Sequence, residues 1–338
     1  MKIRSFISGC EGTQLSPDET TFFREQNPWG LILFKRNCET PGQIKALTTA
    51  FREAVGRKDA PVFIDQEGGR VQRLGPPSNY WRKYPAARAY GELYAKNPVA
   101  ALRAARHVGR LMAEDLIEVG ITADCVPVLD VPQAGSHDVI GNRAYSFQIE
   151  QVMALARAHV AGFVDGGVLP VMKHIPGHGR AEVDSHYNLP VVNAKRDELE
   201  RVDFPPFAAF ADAPMAMTAH VIYTSIDKNA PATLSKKIIK SVIRAQIGFR
   251  GLLITDDLSM KALSGTLAEK CTNALSAGCD MLLHCNGKLD EMREVAAASG
   301  ELKGKALRRA KVALKSARKP QVFDKKAAIK DLELVVSA

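Results

Sequence analysis

The stretch that decides the fold lies at residues 31–55 and reads LILFKRNCETPGQIKALTTAFREAV. It begins with an apolar run, as expected for a parallel strand that is buried on both faces. Thr40 followed by Pro41 indicates a helix start, because threonine caps a helix N-terminus and proline fits its first turn. The stretch therefore predicts one strand followed by one helix.

The same order of strand and helix repeats along the chain. The predicted strands are 3–8, 31–36, 61–65, 121–128, 167–173, 215–221, 251–255 and 281–285. The predicted helices lie near 17–25, 41–55, 97–118, 149–165, 196–212, 235–246, 258–277 and 287–299. Eight consecutive β-then-α units predict the α/β class and, within it, a (β/α)8 TIM barrel.

The main alternative is a doubly wound sheet, which would carry the fingerprint G-x-G-x-x-G after its first strand. The residues at that place are Ser8-Gly9-Cys10-Glu11-Gly12. Glu11 stands where the second glycine is needed, so the dinucleotide-binding fingerprint is absent.

Length and composition exclude several classes of protein. The chain has 338 residues, of which 25% are charged and 46% hydrophobic. It has no apolar run near the ~20 residues that a membrane span needs, which excludes a membrane protein. The hydrophobic fraction is that of a folded protein, which excludes a disordered chain. We expect one catalytic barrel over residues 1–300 and a helical extension over 301–338 that packs on it.

The positive charge is concentrated at the C-terminus. The chain has a net charge of +9, and residues 301–338 hold 11 Lys and Arg against 4 Asp and Glu. A nucleic-acid surface would need aromatic side chains between the basic ones, and Phe323 is the only aromatic residue there. The segment is therefore predicted to be a basic helix on the barrel wall, with neither nucleic acid nor a membrane as partner.

Cysteine usage and the first residues point to the cytoplasm. Six cysteines occur, and none forms a C-x-x-C pair, which indicates a reducing compartment without a disulfide framework. The N-terminus, MKIRSFISGC, has an apolar part too short for a signal peptide. We interpret it as the first strand.

Charged and polar residues follow several of the predicted strands. In a barrel of this type, the C-terminal ends of the strands and the loops after them build the active site. The residues at these positions are Asp65, Glu67, Arg70, Arg73, Arg143, Lys173, His174, His220, Asp256 and Asp257. A carboxylate among Arg and Lys stays ionised, which suits a nucleophile or an anchor for sugar hydroxyls. The cations suit hydroxyl, amide or carboxylate groups of a ligand.

Two long segments, 66–96 and 174–195, exceed ordinary strand-to-helix connections and are predicted to be functional loops. The second contains the triplet Asp184-Ser185-His186. An aspartate beside a histidine can hold its tautomer and raise its pKa, which gives a general acid/base near neutral pH. The glycines around His178 predict a loop able to move over a substrate.

Some of these residues also have structural interpretations. Asp257 is suited to capping a helix, His220 to a supporting role, His178 to fixing its loop, and Glu67 to holding backbone amides near Gly68-Gly69. A metal site built from His174, His178, Asp184 and His186 is a further alternative. Pro176 and Gly177 interrupt that stretch, so it is not the helix on which paired histidines bind zinc. We therefore predict neither a metal nor a cofactor.

Four blocks of the sequence resemble the signature of bacterial β-N-acetylhexosaminidases of glycoside hydrolase family 3. They are IDQEGGRV at 64–71, VIGNR at 139–143, KHIPGHG at 173–179 together with DSH at 184–186, and TDDLSM at 255–260. The blocks occur in the order found in that family.

The resemblance implies a retaining β-N-acetylglucosaminidase that acts in peptidoglycan recycling on N-acetylglucosamine linked to 1,6-anhydro-N-acetylmuramic acid. It implies that Asp256 is the nucleophile and that His186 is the general acid/base, with Asp184 as its partner. The residues implied to bind substrate are Asp65, Arg73, Arg143, Lys173 and His174. Most retaining glycosidases use two carboxylates instead, so a His–Asp dyad is a departure.

Other functions remain compatible with the same residues. A glycoside phosphorylase would use them with phosphate in place of water, and a sugar-binding barrel would have lost catalysis. Retention of Asp256, Asp184 and His186 together argues against the second of these. We expect the protein to act as a monomer on a small sugar substrate.

Overall fold

A computed structural model describes residues 2–185 and 187–337 and confirms the predicted barrel. All eight predicted strands are present. They are β1 (Arg4–Ser8), β2 (Pro28–Leu33), β3 (Val62–Ile64), β4 (Ala123–Asp124), β5 (Leu169–Ile175), β6 (Met215–Thr218), β7 (Leu252–Asp257) and β8 (Met281–His284). Every neighbouring pair is parallel, and β1 pairs with both β2 and β8, which closes the barrel.

Alternate residues of the strands face opposite layers of the core. Ile7, Phe63 and Leu283 belong to the cluster that fills the barrel interior. Their neighbours Phe6 and Ile64 belong to the cluster between the strands and the surrounding helices. Because both faces are buried, most of the strands are largely apolar runs, and their polar residues lie mainly near the strand ends.

Eleven α-helices occur in the described part of the chain. They are α1 (Pro17–Gln26), α2 (Pro41–Val55), α3 (Ala87–Lys96), α4 (Pro98–Glu118), α5 (Ile149–Asp165), α6 (Arg196–Glu198), α7 (Phe204–Ala209), α8 (Leu267–Ala277), α9 (Leu289–Ser299), α10 (Gly304–Lys315) and α11 (Lys325–Val336). Two π-helices, Leu199–Asp203 and Ile238–Gln246, complete the ring. The predicted cap of α2 is present, because the Thr40 hydroxyl accepts the Gln43 N–H at 3.2 Å.

The two long loops contain more regular structure than predicted. A hairpin of Gln66–Gly68 and Val71–Gln72 follows β3, and α3 occupies the end of the segment predicted as a loop. The buried residues Ala87, Tyr90 and Leu93 are spaced three apart, and this periodicity is the signal for α3.

The helix predicted over 258–277 begins later, at Leu267. Thr266 caps it in a capping box with Glu269, while the residues from 258 to 265 form turns at the rim of the barrel.

The C-terminal residues cover two different parts of the barrel. On α10, Ala310 and Ala313 pack into the interior cluster, and Arg309 lies 2.8 Å from Asp280, which directly precedes β8. This basic helix therefore closes the N-terminal end of the barrel. On α11, Asp331 pairs with Arg103 of α4 at 2.8 Å, so this helix lies on the outer wall.

No helix in residues 2–185 or 187–337 is long and apolar enough to cross a membrane. All six cysteines are buried, and none forms a disulfide.

Candidate active site

A cleft of about 340 Å3 opens at the C-terminal ends of the strands. Six of the eight predicted site residues line it: Asp65, Arg73, Arg143, Lys173, His174 and Asp256. Asp184 lies next to Ser185, which also lines the cleft. His186 lies outside the described residues.

A cavity of similar size, about 360 Å3, lies elsewhere, between α5 and the residues that follow α7 and α10. It is bordered by Pro170, Phe210 and Arg318, and none of the predicted site residues that the structure describes lines it. The cleft at the C-terminal end is therefore the candidate active site.

A buried network of charges forms the floor of the cleft. The Lys173 Nζ lies 2.8 Å from Asp65 Oδ1 and 2.6 Å from Glu67 Oε1. Arg143 donates two parallel hydrogen bonds of 2.8 Å to the Glu67 carboxylate. These residues come from the ends of β3 and β5, the hairpin and the turn Gly141–Arg143, so the barrel rim brings them together.

The network keeps its members charged. Burial alone would raise the pKa of Asp65, but Lys173 and Arg73 hold that pKa well below its usual range. Burial opposes ionisation of Glu67 in the same way, and Arg143 and Lys173 lower its pKa to about 2. The pKa of Lys173 is raised, because the two carboxylates outweigh the effect of burial. Two cations and two anions thus compensate one another inside the cleft.

Glu67 is a rim residue that sequence reasoning listed but did not assign to the site, with the holding of backbone amides as its structural interpretation. In the structure it pairs with Arg143 and Lys173. The adjacent Gly68 has a φ of 93°, and a Cβ there would lie 2.2 Å from the Pro85 carbonyl oxygen. Only glycine fits this turn, and a carboxylate directly before it at a strand end was the available signal.

Arg73 pairs with Asp65 and keeps one N–H donor without a partner among the described residues. Its Nη2 lies 3.3 Å from Asp65 Oδ2, and its guanidinium stands 5.3 Å from the centre of the Phe34 ring. Its Nε is buried and has no hydrogen-bond partner within residues 2–185 and 187–337. A ligand oxygen in the cleft would satisfy this donor.

His174 is oriented by a carboxylate that sequence reasoning missed. Asp130 is completely buried, and its Oδ2 lies 2.7 Å from His174 Nδ1. The other oxygen accepts the backbone N–H of His178 at 2.6 Å. Burial would raise the pKa of Asp130, but His174 lowers it, so the carboxylate accepts the Nδ1 proton. This leaves His174 Nε2 as the nitrogen that can serve a ligand.

The signal for Asp130 was present in the sequence. It follows the predicted strand 121–128 by two residues, and Val128 bridges to Lys173 of the next strand. Its position at the same rim as Lys173 follows from that pairing.

Asp256 is the second-last residue of β7 and faces the cleft as an ionised carboxylate. Burial would raise its pKa, but His220, His174 and the Asp257 N–H together lower it. The Asp257 N–H donates to Asp256 Oδ1 at 2.8 Å. This hydrogen bond also fixes the direction of the carboxylate.

Asp257 and His220 have supporting roles. Asp257 Oδ1 accepts the N–H groups of Ser259 at 3.0 Å and Cys285 at 3.2 Å. His220 is completely buried, and its Nε2 donates to the Asp257 carbonyl at 3.0 Å. Burial lowers the pKa of His220. Both residues fix the backbone that carries Asp256.

Asp184 lies in a short turn above the cleft. Its carbonyl accepts the N–H groups of Tyr187 at 3.0 Å and Asn188 at 2.9 Å. The side chain is half-buried, and the adjacent Ser185 is buried. The segment that contains the predicted dyad is thus attached to the cleft that holds Asp256.

Comparison with known proteins agrees with this geometry. The model of the glycosyl hydrolase family 3 N-terminal domain matches residues 13–318. The chain is 40% identical over 290 residues to a beta-hexosaminidase of Alkalilimnicola ehrlichii, covering 85% of this chain and 82% of that protein. It is 39% identical over 311 residues to a beta-hexosaminidase of Pseudomonas aeruginosa, covering 91% and 87%.

A solved structure shows the same similarity over the whole fold. The crystal structure of NagZ from Neisseria gonorrhoeae in complex with N-trifluoroacetyl-D-glucosamine superimposes with a TM-score of 0.89 and 31% identity. The match covers 99% of this chain and 98% of that one. On these grounds the chain belongs to glycosyl hydrolase family 3 and is a glycoside hydrolase.

Proposed function

We propose that the enzyme is a retaining exo-β-N-acetylglucosaminidase that removes a non-reducing terminal N-acetylglucosamine from 1,6-anhydro-muropeptides in peptidoglycan recycling. The observation that carries this proposal is one cleft with an ionised carboxylate, Asp256, on one side and the Asp184–Ser185 segment on another. The names of the relatives, beta-hexosaminidase, support the sugar class.

In the first half of the proposed reaction, a carboxylate oxygen of Asp256 attacks the anomeric carbon of the sugar. The bond to the leaving oxygen breaks, and that oxygen takes a proton from the imidazolium of His186. The products of this step are a glycosyl ester on Asp256 and the released aglycone.

In the second half, the neutral imidazole of His186 removes a proton from water. The resulting hydroxide attacks the anomeric carbon, and the ester bond to Asp256 breaks. The sugar leaves with its original β configuration, and both residues return to their starting states. Asp184 would hold the tautomer of His186 and stabilise the imidazolium.

The remaining predicted residues are proposed to bind the sugar. Asp65 and the Nε of Arg73 present an acceptor and a donor of the kind that sugar hydroxyls need. The Nε2 of His174 and the charged ends of Lys173 and Arg143 line the same cleft. Because ion pairs fix these side chains beforehand, little reorganisation is needed when substrate binds.

We propose hydrolysis rather than phosphorolysis. Lys173 and Arg143 are already neutralised by Asp65 and Glu67, so the cleft has little excess positive charge to attract phosphate. A sugar 1-phosphate among the products in phosphate buffer would contradict this. We also propose that the enzyme works as a monomer in the cytoplasm, where six buried thiols would stay reduced.

The proposal is tested by release of 4-nitrophenol from 4-nitrophenyl N-acetyl-β-D-glucosaminide, in EDTA, with Asp256→Ala beside the wild type. Turnover by the wild type alone supports a metal-independent β-N-acetylglucosaminidase that depends on Asp256. No turnover by the wild type would favour a sugar-binding protein or a different sugar. Turnover that is lost in EDTA and restored by zinc would favour the metal site instead.

The covalent step has a separate test. A 5-fluoro glycosyl fluoride of N-acetylglucosamine forms the ester because the anomeric fluoride is a good leaving group. It releases the ester slowly because the ring fluorine destabilises positive charge in the transition state. Mass spectrometry should find one added sugar on the peptide that contains Asp256. A mechanism that uses the acetamido oxygen of the substrate as nucleophile would leave this peptide unmodified.

A further inference from the structure

The loop after β5 has two parts that differ in burial. Residues 173–179 are all buried, while most described residues between 182 and 189 are exposed or half-buried. Asp184 and Ser185 belong to the second part. A largely exposed segment therefore carries Asp184 and Ser185 at the cleft.

The first part is fastened to the chain that follows β4. The Gln133 N–H donates to the Gly179 carbonyl at 3.2 Å, and the His137 N–H donates to the Ala181 carbonyl at 2.8 Å. A Cβ on Gly179 would lie 2.1 Å from the Val131 carbonyl oxygen, so the two backbones are in direct contact. This part is a fixed base.

The second part has one buried residue among those described from 182 to 189. Ser185 is 3% exposed, and its Oγ lies 3.2 Å from the Nε2 of His178 in the fixed base. A small polar side chain in an otherwise exposed segment has thus been placed against a buried imidazole. The hydrogen bond joins the two parts at the position next to Asp184.

His178 is itself held rigidly. Its backbone N–H donates to Asp130 at 2.6 Å, and its ring meets the His174 ring edge to face at 5.5 Å between centroids. Burial, assisted by His174, lowers the pKa of His178 to about 4, so the ring is neutral near pH 7. A neutral ring at this place joins the loop without adding a positive charge beside the segment that carries Asp184.

We propose that the His178–Ser185 hydrogen bond is a latch that sets the position of the Asp184–Ser185 segment at the cleft. His178 and Ser185 are then positioning residues, since they act through the dyad. The inference rests on the proposed function, because it matters for catalysis only if the dyad transfers a proton.

The consequence is a specific kinetic defect. A displaced acid cannot protonate the leaving oxygen well, and this matters most when the leaving group is a poor one. Ser185→Ala should lower kcat/KM for N,N′-diacetylchitobiose, a poor leaving group, at least about tenfold more than for the 4-nitrophenyl glycoside. Ser185→Thr, which keeps the hydroxyl, should restore much of the loss.

Two controls separate a latch from general damage. Ser299→Ala removes a hydroxyl that is equally buried, at 3% exposed, at the end of α9 and should leave the ratio of the two substrates unchanged. In a double-mutant cycle, His178→Asn combined with Ser185→Ala should change that ratio no more than the larger single effect, because both remove one hydrogen bond.

The latch has a readout that does not depend on activity. Hydrogen exchange should become faster at 182–190 in Ser185→Ala, with no change at 130–137. Equal losses on both substrates, or unchanged exchange at 182–190, would overturn the latch while leaving the proposed function intact. A wild type that cleaves neither substrate would instead overturn the proposed function.

Discussion

Lys173 Nζ lies 2.8 Å from Asp65 Oδ1, although 108 residues separate them in the sequence. The pairing is possible because β3 and β5 both pair with β4 and end at the same rim. It places a cation and an anion side by side in a cleft where either one alone would be costly to bury. The charged floor of the cleft therefore depends on the pairing of the strands, which brings residues together that are distant in the sequence.

The Glu67→Gln variant tests this network through pH. The pKa of Glu67 is about 2, below its value in the unfolded chain. A lowered pKa contributes stability that is present above about pH 4.3 and is lost as pH falls toward 2. The difference in the free energy of unfolding between the wild type and Glu67→Gln should therefore fall by about 3 kcal/mol across that range.

Guanidinium unfolding at a series of pH values measures this difference. Glu25→Gln, on the exposed face of α1, controls for the removal of one carboxylate. A stability difference between wild type and Glu67→Gln that stays constant from pH 6 to pH 2 would contradict the assigned pKa.

Asp256 and Asp257 are adjacent carboxylates with different expected roles. Asp256→Asn removes the proposed nucleophile and should lower kcat on the order of 10³-fold or more, with little effect on folding. Asp257→Asn weakens the bonds to Ser259 and Cys285 and should mainly lower the thermal midpoint. Steady-state kinetics and thermal unfolding of both variants decide the assignment, and a reversed pattern would exchange the two roles.

Asp130→Asn should impair the orientation of His174. The amide can present its N–H to Nδ1, which would favour the wrong tautomer, so kcat/KM should fall on the order of 10²-fold. Asp115→Asn is the matched control, because Asp115 is also a buried aspartate but binds Tyr84 and Arg82. If both variants lose kcat/KM only to the extent that they lose stability, Asp130 has no specific role at the site.

The sequence predicted the barrel and most of the charged residues that line the cleft, because both depend on local patterns. Apolar runs and caps located the strands and helices, and the ends of the strands located Asp65, Lys173 and Asp256. The role of Glu67 could not be predicted in this way, because its partner Arg143 lies 76 residues away. Asp130 follows a predicted strand and could have been listed, but its contact with His174 depends on the pairing of β4 with β5.

The position of the basic helix also depends on tertiary structure. A wall position was expected for the C-terminal residues, and α11 occupies one, whereas α10 closes the end of the barrel. Its small residues Ala310 and Ala313 allow close packing on the interior cluster, while Lys305, Arg308 and Lys311 stay exposed. The charges are on the solvent side of a helix whose other side is part of the core.

The Ala313→Leu variant tests this closure. Ala313 is completely buried against the interior cluster, at the end opposite to the cleft. Added methyl groups should overpack the site and lower the free energy of unfolding by about 1–3 kcal/mol. The kcat/KM of the folded enzyme should stay unchanged, because the strand ends that carry Asp65 and Asp256 lie at the other end of the barrel.

The control is Ala317→Leu. Ala317 is exposed and follows the end of α10, so this variant should change neither the free energy of unfolding nor kcat/KM. Loss of activity without loss of stability in Ala313→Leu would show that α10 acts on the cleft, and unchanged stability would show that it does not close the core.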